Sequence, residues 1–298
     1  MKAYQYYFDG LFFYDILMCK KIIIQGVKGS FHDIAMRHFY KDNASVDFVV
    51  ADSFPELFED FTVDKTIDHA IIAIENTIAG SIMYNYTLLK QHSFHITGEI
   101  FLRIKHNLMA LPGTRIEDIL EVHSHPMALA QCKTFLGKHK HWQKIEREDT
   151  ALCAAEIGLR RKKNFAAIAS ELAAKEYGLD ILEESIETNK QNFTRFLILS
   201  REKNEVDKIK GREKASICFS LKHEAGSLHV LLGMLAERSC NLTKIQSSPI
   251  IGKEFQYFFF VDFILEANSF SEIVQALEKH VESLQILGHY NEGLFYES

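Results

Sequence analysis

Small turns rich in hydroxyl and amide side chains recur along the first two thirds of this chain, and their residues could bind an anionic ligand. Each turn stands between an apolar run and a helical pattern, so its residues would cap a helix whose free N–H groups and dipole attract anions. Several such turns meeting at one point would bind carboxylates, whereas a single turn is better explained as a plain helix cap. The turns contain Gly29-Ser30, Asn76-Thr77, Ser124-His125, Thr150 and Ser170.

The turns belong to a repeated unit, in which a short β-branched or apolar run precedes a helical pattern with apolar residues three and four apart. This alternation predicts α/β layers. The polar segment 201–213 (REKNEVDKIKGRE) is typical of a linker. Beyond it, a ferredoxin-like βαββαβ domain is predicted from strands at 215–221, 242–247, 255–265 and 284–290 and helices at 227–238 and 271–281.

Composition argues against several classes of protein. The net charge is −6, from 34 basic and 40 acidic residues, so no strong field favours nucleic acid or an anionic membrane surface. No segment approaches about 20 apolar residues, so no membrane span is expected. The five cysteines include no Cys-x-x-Cys pair, which disfavours disulfides and zinc and favours a cytoplasmic location.

Other constellations give no support to a metal or a cofactor. The pairs His123-x-His125 and His139-x-His141 lack ligands at zinc spacing, and Gly26 and Gly29 form neither a dinucleotide-binding motif nor a P-loop. We therefore expect no cofactor and no metal.

Residues 1–20 are interpreted as an N-terminal tail of uncertain origin. Asp9 and Asp15 interrupt its apolar run, and no small-residue cleavage site follows, so a signal peptide is not expected. Met18 directly precedes the first clear strand and is an alternative start to Met1.

Six segments in order resemble the catalytic domain of the prephenate dehydratase family over residues 21–200. They are Gln25-Gly26-x-x-Gly29-Ser30-Phe31, Glu75-Asn76-Thr77-x-x-Gly80-Ser81, Ser124-His125-Pro126 through Gln131-Cys132, Asp149-Thr150-Ala151, Ile168-Ala169-Ser170 and Asn192-x-Thr194-Arg195-Phe196. This resemblance implies a two-lobed, periplasmic-binding-protein-like α/β domain.

Residues 214–298 resemble the ACT regulatory domain that follows the catalytic domain in this family, and 201–213 would link the two. The resemblance implies that phenylalanine binds between paired ACT domains of a homodimer or homotetramer and regulates the enzyme. The expected contacts are Gly226, Ser227, Leu228, Asn241 and Leu242. Two departures put the affinity for phenylalanine in question: Gln246-Ser247-Ser248-Pro249 stands where Glu-Ser-Arg-Pro is usual, and Ser227 replaces an alanine.

The implied reaction is the decarboxylative dehydration of prephenate to phenylpyruvate in phenylalanine biosynthesis, which needs no cofactor. Aromatisation supplies most of the driving force, so the protein must hold two carboxylates, exclude water and supply a proton to the departing hydroxyl. Neutral donors suit this task, because an Arg clamp on the departing carboxylate would stabilise the ground state. The expected substrate contacts are Asn76, Thr77, Gly80, Ser81, Ser124, Gln131, Thr150 and Ser170.

Thr194, in the Thr-Arg-Phe motif of the family, is the expected central catalytic residue, because its hydroxyl can donate to the leaving oxygen. Without the motif, a β-branched residue beginning a strand would be the better explanation. Arg195 either holds the far carboxylate or forms a structural ion pair. Phe196 is expected mainly to pack, with the substrate ring as one candidate neighbour. His125 could be an acid near neutral pH but is better explained as a cap.

Two alternatives stay open at this point. An arogenate dehydratase would share every motif, although the lack of a plastid transit peptide favours prephenate. A non-catalytic small-molecule-binding regulator would share the two α/β lobes, but it would need a signal peptide or a DNA-binding segment, and neither is found in the sequence.

Overall fold

A computed structural model describes residues 20–40, 46–204, 211–266 and 269–298. The predicted tail, apart from Lys20, and positions 205–210 of the predicted linker lie outside the described residues. Within the described ranges, no helix is long and apolar enough to cross a membrane.

The first lobe is a sheet covered by helices on both faces. Ile22, Ile23 and Ile24 are fully buried, as expected for a strand of a parallel sheet, and the first strand pairs in parallel with the second and third. The elements are β1 (Lys20–Gln25), α1 (Phe31–Phe39), β2 (Val46–Ala51), α2 (Phe54–Val63), β3 (His69–Asn76), β4 (Gly80–Ser81), α3 (Met83–Gln91) and β5 (His95–Arg103).

The second lobe has its own five-stranded sheet. Its elements are β6 (Asn107–Ala110), a 3₁₀ turn (Ile116–Asp118), β7 (Glu121–Ser124), α4 (Pro126–Gln131), α5 (Lys133–Leu136), β8 (Gln143–Glu146), α6 (Thr150–Arg160), β9 (Phe165–Ala169), α7 (Glu171–Tyr177) and β10 (Asp180–Glu183). The strand order is β10-β6-β9-β7-β8.

The chain passes between the lobes twice, after β5 and again before β11 (Phe193–Ser200). The two passages run side by side, since the N–H of Ile104 donates to the carbonyl of Asn192 at 2.7 Å. Strand β11 then inserts between β5 and β3, antiparallel to both. This arrangement confirms the predicted two-lobed α/β fold.

The C-terminal region has the predicted βαββαβ order, with element bounds within a few residues of those expected. Its elements are β12 (Glu213–Ser220), α8 (Ser227–Glu237), β13 (Cys240–Pro249), β14 (Tyr257–Leu265), α9 (Phe270–Glu278), β15 (Ser283–Asn291) and the short β16 (Phe295–Tyr296). The strand order is β13-β14-β12-β15, and the two helices contact each other.

The C-terminal sheet continues the sheet of the first lobe. Gly288 of β15 pairs with Ile96 of β5, and β16 adds two further pairs with β5, so that the path reads β13-β14-β12-β15-β5-β11-β3-β1-β2. A Cβ atom on Gly288 would lie 2.3 Å from the Ile96 carbonyl oxygen, so only glycine permits this approach. Phe260 and Tyr290 also join the first-lobe core. The two domains therefore share both a sheet and a hydrophobic core.

Candidate functional site

A cavity of about 410 Å³ lies between the two lobes, within the size range of small-molecule sites. None of the described residues that line it is Lys or Arg. Its polar lining consists of Gln25, Ser30, His32, Asn76, His106, His125, Gln131, Glu148, Asp149, Thr150 and Thr194. The lining also includes the carboxyl groups of Glu148 and Asp149, and that neutral donors receive the ligand stays a prediction.

Thr194 and Asn76 form the central pair on the first-lobe wall of the cavity. They are register partners on β11 and β3, and the Asn76 Nδ2 donates to the Thr194 Oγ1 at 3.0 Å. The Asn76 Oδ1 accepts from the N–H groups of Ile78 and Ala79, both at 2.9 Å. Because Thr194 acts as acceptor for Asn76, its own proton can point to a ligand.

A chain of neutral hydrogen bonds connects this pair to the second lobe. The Asn76 Nδ2 also donates to the Asn192 Oδ1 at 2.8 Å, and the Asn192 Nδ2 donates to the Gln131 Oε1 at 2.9 Å. The same Gln131 oxygen lies 2.9 Å from the His106 Nε2, which must therefore carry the proton. Burial lowers the pKa of His106, so the ring is neutral. The chain fixes Thr194 relative to both lobes.

Helix starts from both lobes border the cavity. Ser30 caps α1 by accepting from the Asp33 N–H, and Asp149 caps α6 by accepting from the Leu152 N–H at 2.7 Å. Thr150 is the first residue of α6 and lines the cavity. The positive ends of these two helices suit the negative groups of a ligand.

Two titratable groups on the second-lobe wall have shifted pKa values. Burial raises the pKa of Asp149, and burial lowers the pKa of His125 although Asp149 and Glu146 oppose this. His125 caps α4 by accepting from the Met127 N–H, which requires an unprotonated Nδ1. Asp149 is therefore the better candidate proton carrier of the two.

Several residues expected to contact substrate bind other protein groups in this structure. The Ser124 hydroxyl donates to the Ile168 carbonyl at 2.7 Å, and the Ser170 hydroxyl donates to the Gly29 carbonyl at 2.6 Å. Thr77 ties the β3–β4 turn to the start of β11, since its hydroxyl accepts from the Phe193 N–H at 2.9 Å. None of these three side chains lines the described cavity. Their hydrogen bonds hold the walls of the cavity together.

Gly80 and Ser81 lie on β4, also outside the lining of the cavity. Gly80 has a φ of +82°, which the turn before β4 requires. The Ser81 hydroxyl accepts from the Lys244 ammonium at 2.7 Å and donates to the Gln246 Oε1 at 3.2 Å. Ser81 therefore contacts the C-terminal domain.

Arg195 points away from the cavity, because successive side chains of a strand alternate between faces. Its guanidinium forms ion pairs with Glu99, at 2.6 Å, and with Asp262, and it donates to the Tyr290 hydroxyl at 3.0 Å. Burial alone would lower the pKa of Arg195, but these carboxylates hold it well above its ordinary value. Of its two expected roles, the geometry supports the structural ion pair and not the carboxylate grip.

Phe196 lies on the cavity side of β11 and is almost fully buried. It meets the ring of His32 edge to face, with 5.0 Å between ring centroids. This packing agrees with the expected role and adds His32 to the wall of the site.

The expected effector contacts lie at two separate places in the C-terminal domain, the start of α8 and the start of β13. Gly226 has a φ of +88° and precedes α8, whose first residue is Ser227, and Asn241 is exposed on β13, the outermost strand of the sheet. Leu228 and Leu242 pack against the core of the C-terminal domain. Their role in binding phenylalanine stays a prediction.

The histidine pairs that suggested metal binding have other partners. His123 lies 3.0 Å from Glu121, and His139 stacks on Trp142 with 4.0 Å between ring centroids. Across the described ranges, no group of three or more His, Cys, Asp or Glu side chains could hold a metal ion.

The supporting residues of the site that were not assigned from the sequence include Asn192, Asp149, His106 and His32. Asn192 and Asp149 stand inside the motifs that carry the resemblance, so a closer reading of those motifs could have found them. His106 lies outside every motif, and only the fold brings it to Gln131.

Comparisons with known proteins show which family this chain belongs to. The sequence model of the prephenate dehydratase family matches residues 22–204. Arogenate dehydratase/prephenate dehydratase 2, chloroplastic, of Arabidopsis thaliana is 38% identical over 286 residues, covering 91% of this chain and 72% of that protein. GqqA, described as a novel type of quorum quenching acylase, has a similar structure, with a TM-score of 0.81, 28% identity and coverage of 92% of this chain and 98% of that chain.

A prephenate dehydratase from Arthrobacter aurescens, solved in complex with L-Phe, is similar to the same extent. Its TM-score is 0.80 at 26% identity, and the match covers 91% of this chain and 89% of that chain. The resemblance read from the motifs is thereby confirmed. This chain belongs to the prephenate dehydratase family and is a lyase of aromatic amino-acid biosynthesis.

Proposed function

We propose that this protein converts prephenate to phenylpyruvate, carbon dioxide and water. The observation that carries the proposal is the Thr194 hydroxyl, oriented by Asn76 at 3.0 Å in a cavity lined by neutral donors, by helix starts and by the carboxyl groups of Glu148 and Asp149. Such a site can hold a dianion without fixing either carboxylate in a strong ion pair. The departing carboxylate can then lose its charge at little cost.

The chemistry divides between the two walls of the cavity. As the carboxylate leaves as carbon dioxide, its bonding electrons enter the ring and the ring hydroxyl departs, taking up one proton to form water. Thr194 donates a hydrogen bond to that departing oxygen, while the starts of α1 and α6 receive the carboxylates. We assign the proton to Asp149, whose pKa is already raised by burial and would rise further beside an anionic substrate.

Arogenate is the second candidate substrate, and one observation favours it. Glu148 and Asp149 both line the cavity, and an ionised carboxylate there would attract the ammonium that arogenate carries in place of the prephenate keto group. The chloroplastic Arabidopsis relative is named for both activities. The acylase activity named for GqqA has less support, because the partner of Thr194 is an amide donor and not a base.

We also propose that the C-terminal domain is an ACT domain that senses phenylalanine in a homodimer or homotetramer. Its βαββαβ order supports this, as does the L-Phe complex of the Arthrobacter relative. A cytoplasmic location is proposed from the cysteines, since Cys132, Cys153, Cys218 and Cys240 are all free thiols.

Turnover of both substrates tests the proposal. We expect the purified protein to release phenylpyruvate from prephenate, and Thr194→Ala to lower kcat by about 100-fold to 1,000-fold, as for loss of one donor to a developing negative charge. Thr87→Ala, on α3 and outside the lining of the cavity, is the matched control and should retain normal turnover. Turnover of arogenate alone would change the substrate and keep the site. A folded protein that turned over neither would favour the non-catalytic regulator.

A further inference from the structure

The two strands that carry the catalytic pair also carry a charged pair on their opposite face. Next to Thr194 and Asn76 in the register of β11 and β3 stand Arg195 and Glu75. Because strand side chains alternate between faces, the first pair faces the cavity and the second faces the C-terminal domain. Because Glu75 and Asn76 are consecutive residues, a movement of Glu75 also moves Asn76.

Lys244 of β13 reaches across from the C-terminal domain and binds the β3–β4 hairpin. Its ammonium lies 2.8 Å from the Glu75 Oε1 and donates to the Ser81 hydroxyl at 2.7 Å. Glu75 and Ser81 are themselves register partners in the hairpin. Lys244 therefore contacts both strands of the hairpin at the register pair next to Asn76 and Gly80.

The surroundings of Lys244 make this contact specific. Only 6% of its side chain is exposed, and its ammonium lies 5.4 Å from the centre of the Tyr86 ring. Its register partner on β14 is Asp262, whose carboxylate already pairs with Arg195. A buried ammonium needs ionic and hydrogen-bond partners, and Glu75 and Ser81 supply them.

The adjacent residue Asn76 connects the hairpin to Thr194. Asn76 follows Glu75 directly, and its side chain holds both the turn, through the amides of Ile78 and Ala79, and the hydroxyl of Thr194. A shift of the hairpin would change the direction of the Asn76 amide and, with it, that of the Thr194 proton.

We propose that Lys244 is a positioning residue for the dehydratase reaction, acting through Glu75, Ser81 and Asn76 on Thr194. The C-terminal domain then supports the active site through the face of β3 and β11 that lies opposite the cavity. This inference rests on the proposed function, because its kinetic test needs a turnover to measure. The same strand carries Asn241 and Gln246, so a ligand bound at those positions would act on the same hairpin.

Lys244→Met, which keeps the length of the side chain and removes its charge, is the first variant. We expect kcat to fall about 100-fold, as for a catalytic group misplaced by about 1 Å, with KM within twofold because the helix starts that receive the carboxylates are untouched. Lys244→Arg should recover most of kcat. A kcat within twofold of wild type in a folded Lys244→Met protein, or a rise in KM alone, would overturn the proposal.

Lys214→Met is the matched control, since Lys214 is equally buried in the C-terminal domain and pairs with Glu99 of the first lobe at 2.8 Å, away from the hairpin. Lys214→Met should lower the free energy of unfolding by about as much as Lys244→Met does. Hydrogen exchange on the full chain separates the two, because Lys244→Met should speed exchange of the Ile78 and Ala79 amides about tenfold and Lys214→Met should not. Equal acceleration in both variants would mean that Lys244 serves only to hold the domains together.

One further variant and one further measurement decide the cases in which the first variant does not fold or the protein shows no turnover. If Lys244→Met does not fold, Glu75→Gln weakens the same bridge and should lower kcat about tenfold at unchanged KM; normal kcat there would contradict the proposal. If the wild-type protein turns over neither prephenate nor arogenate, the proposed function fails. The exchange of the Ile78 and Ala79 amides then still decides whether Lys244 holds the hairpin.

Discussion

Strands β3 and β11 present uncharged residues on the face toward the cavity and charged residues on the opposite face, called here the back face. On the cavity face, Asn76 and Thr194 are uncharged, and the threonine proton is left for a ligand. On the back face, Glu75 and Arg195 are charged and paired with Lys244 and Asp262 of the C-terminal domain. Neutral groups suit a reaction in which charge is lost, whereas buried charges are stable only with fixed partners. Alternate residues of the same strands therefore have different tasks: one set faces the ligand, and the other set attaches the strands to the C-terminal domain.

The largest test of this comparison is Arg195→Met on the back face. It would leave the carboxylates of Glu99 and Asp262 buried, with Lys214 as the nearest remaining cation for Glu99. Breaking such a buried network typically costs about 4 kcal/mol, so we expect the free energy of unfolding to fall by that amount. Urea unfolding at neutral pH measures it.

The control for Arg195→Met is Arg212→Met, because Arg212 forms exposed ion pairs with Glu266 and Glu292. Exposed pairs contribute little, so the loss should stay below about 0.5 kcal/mol. Equal effects of the two changes would break the distinction, since Arg195 would then behave as a surface residue.

A smaller effect is expected on the cavity face, from Gln131→Leu. This change removes the oxygen that accepts from Asn192 and from His106 and leaves two donors without a protein partner. Water entering from the cavity can replace part of the loss, so we expect about 3 kcal/mol less stability, together with a tenfold lower kcat of roughly the size expected for a loosened catalytic group.

Gln131→Glu is the companion to Gln131→Leu, because it keeps an acceptor for both donors. It should restore most of the stability and still impair turnover, since a carboxylate in the cavity repels an anionic substrate. A Gln131→Leu protein with normal kcat would show that the chain of neutral hydrogen bonds does not orient Thr194.

Local elements of this fold could be predicted because their signals are local. Strand β9 (Phe165–Ala169) and helix α7 (Glu171–Tyr177) flank the predicted turn at Ser170, since Ser170 caps the helix by accepting from the Ala173 N–H and Gly178 ends it with a φ of +62°. The C-terminal βαββαβ order was predicted from the same kind of pattern.

Contacts between distant segments could not be predicted in this way. Nothing near Gly288 indicates that it pairs with Ile96, and Ser81 stands in a motif that suggested substrate binding although its partners are Lys244 and Gln246. A sequence motif identifies residues that a site requires. Which of them face the ligand depends on strand register and on pairings more than 150 residues apart along the chain.

The smallest expected effect is a pH dependence of the free energy of unfolding, which arises from His32 on the cavity side. Its Nε2 accepts from the Ala73 N–H at 3.2 Å and so must be unprotonated, and burial lowers its pKa to about 3. The unfolded chain binds a proton to this ring near pH 6.5 and the folded protein does not, so stability is lost as the pH falls from 6.5 toward 3. Between pH 7 and pH 5 this one group should remove about 2 kcal/mol. Urea unfolding of His32→Gln, which can still accept from Ala73, should show a pH slope flatter than wild type by that amount; equal slopes would mean that His32 titrates alike in both states.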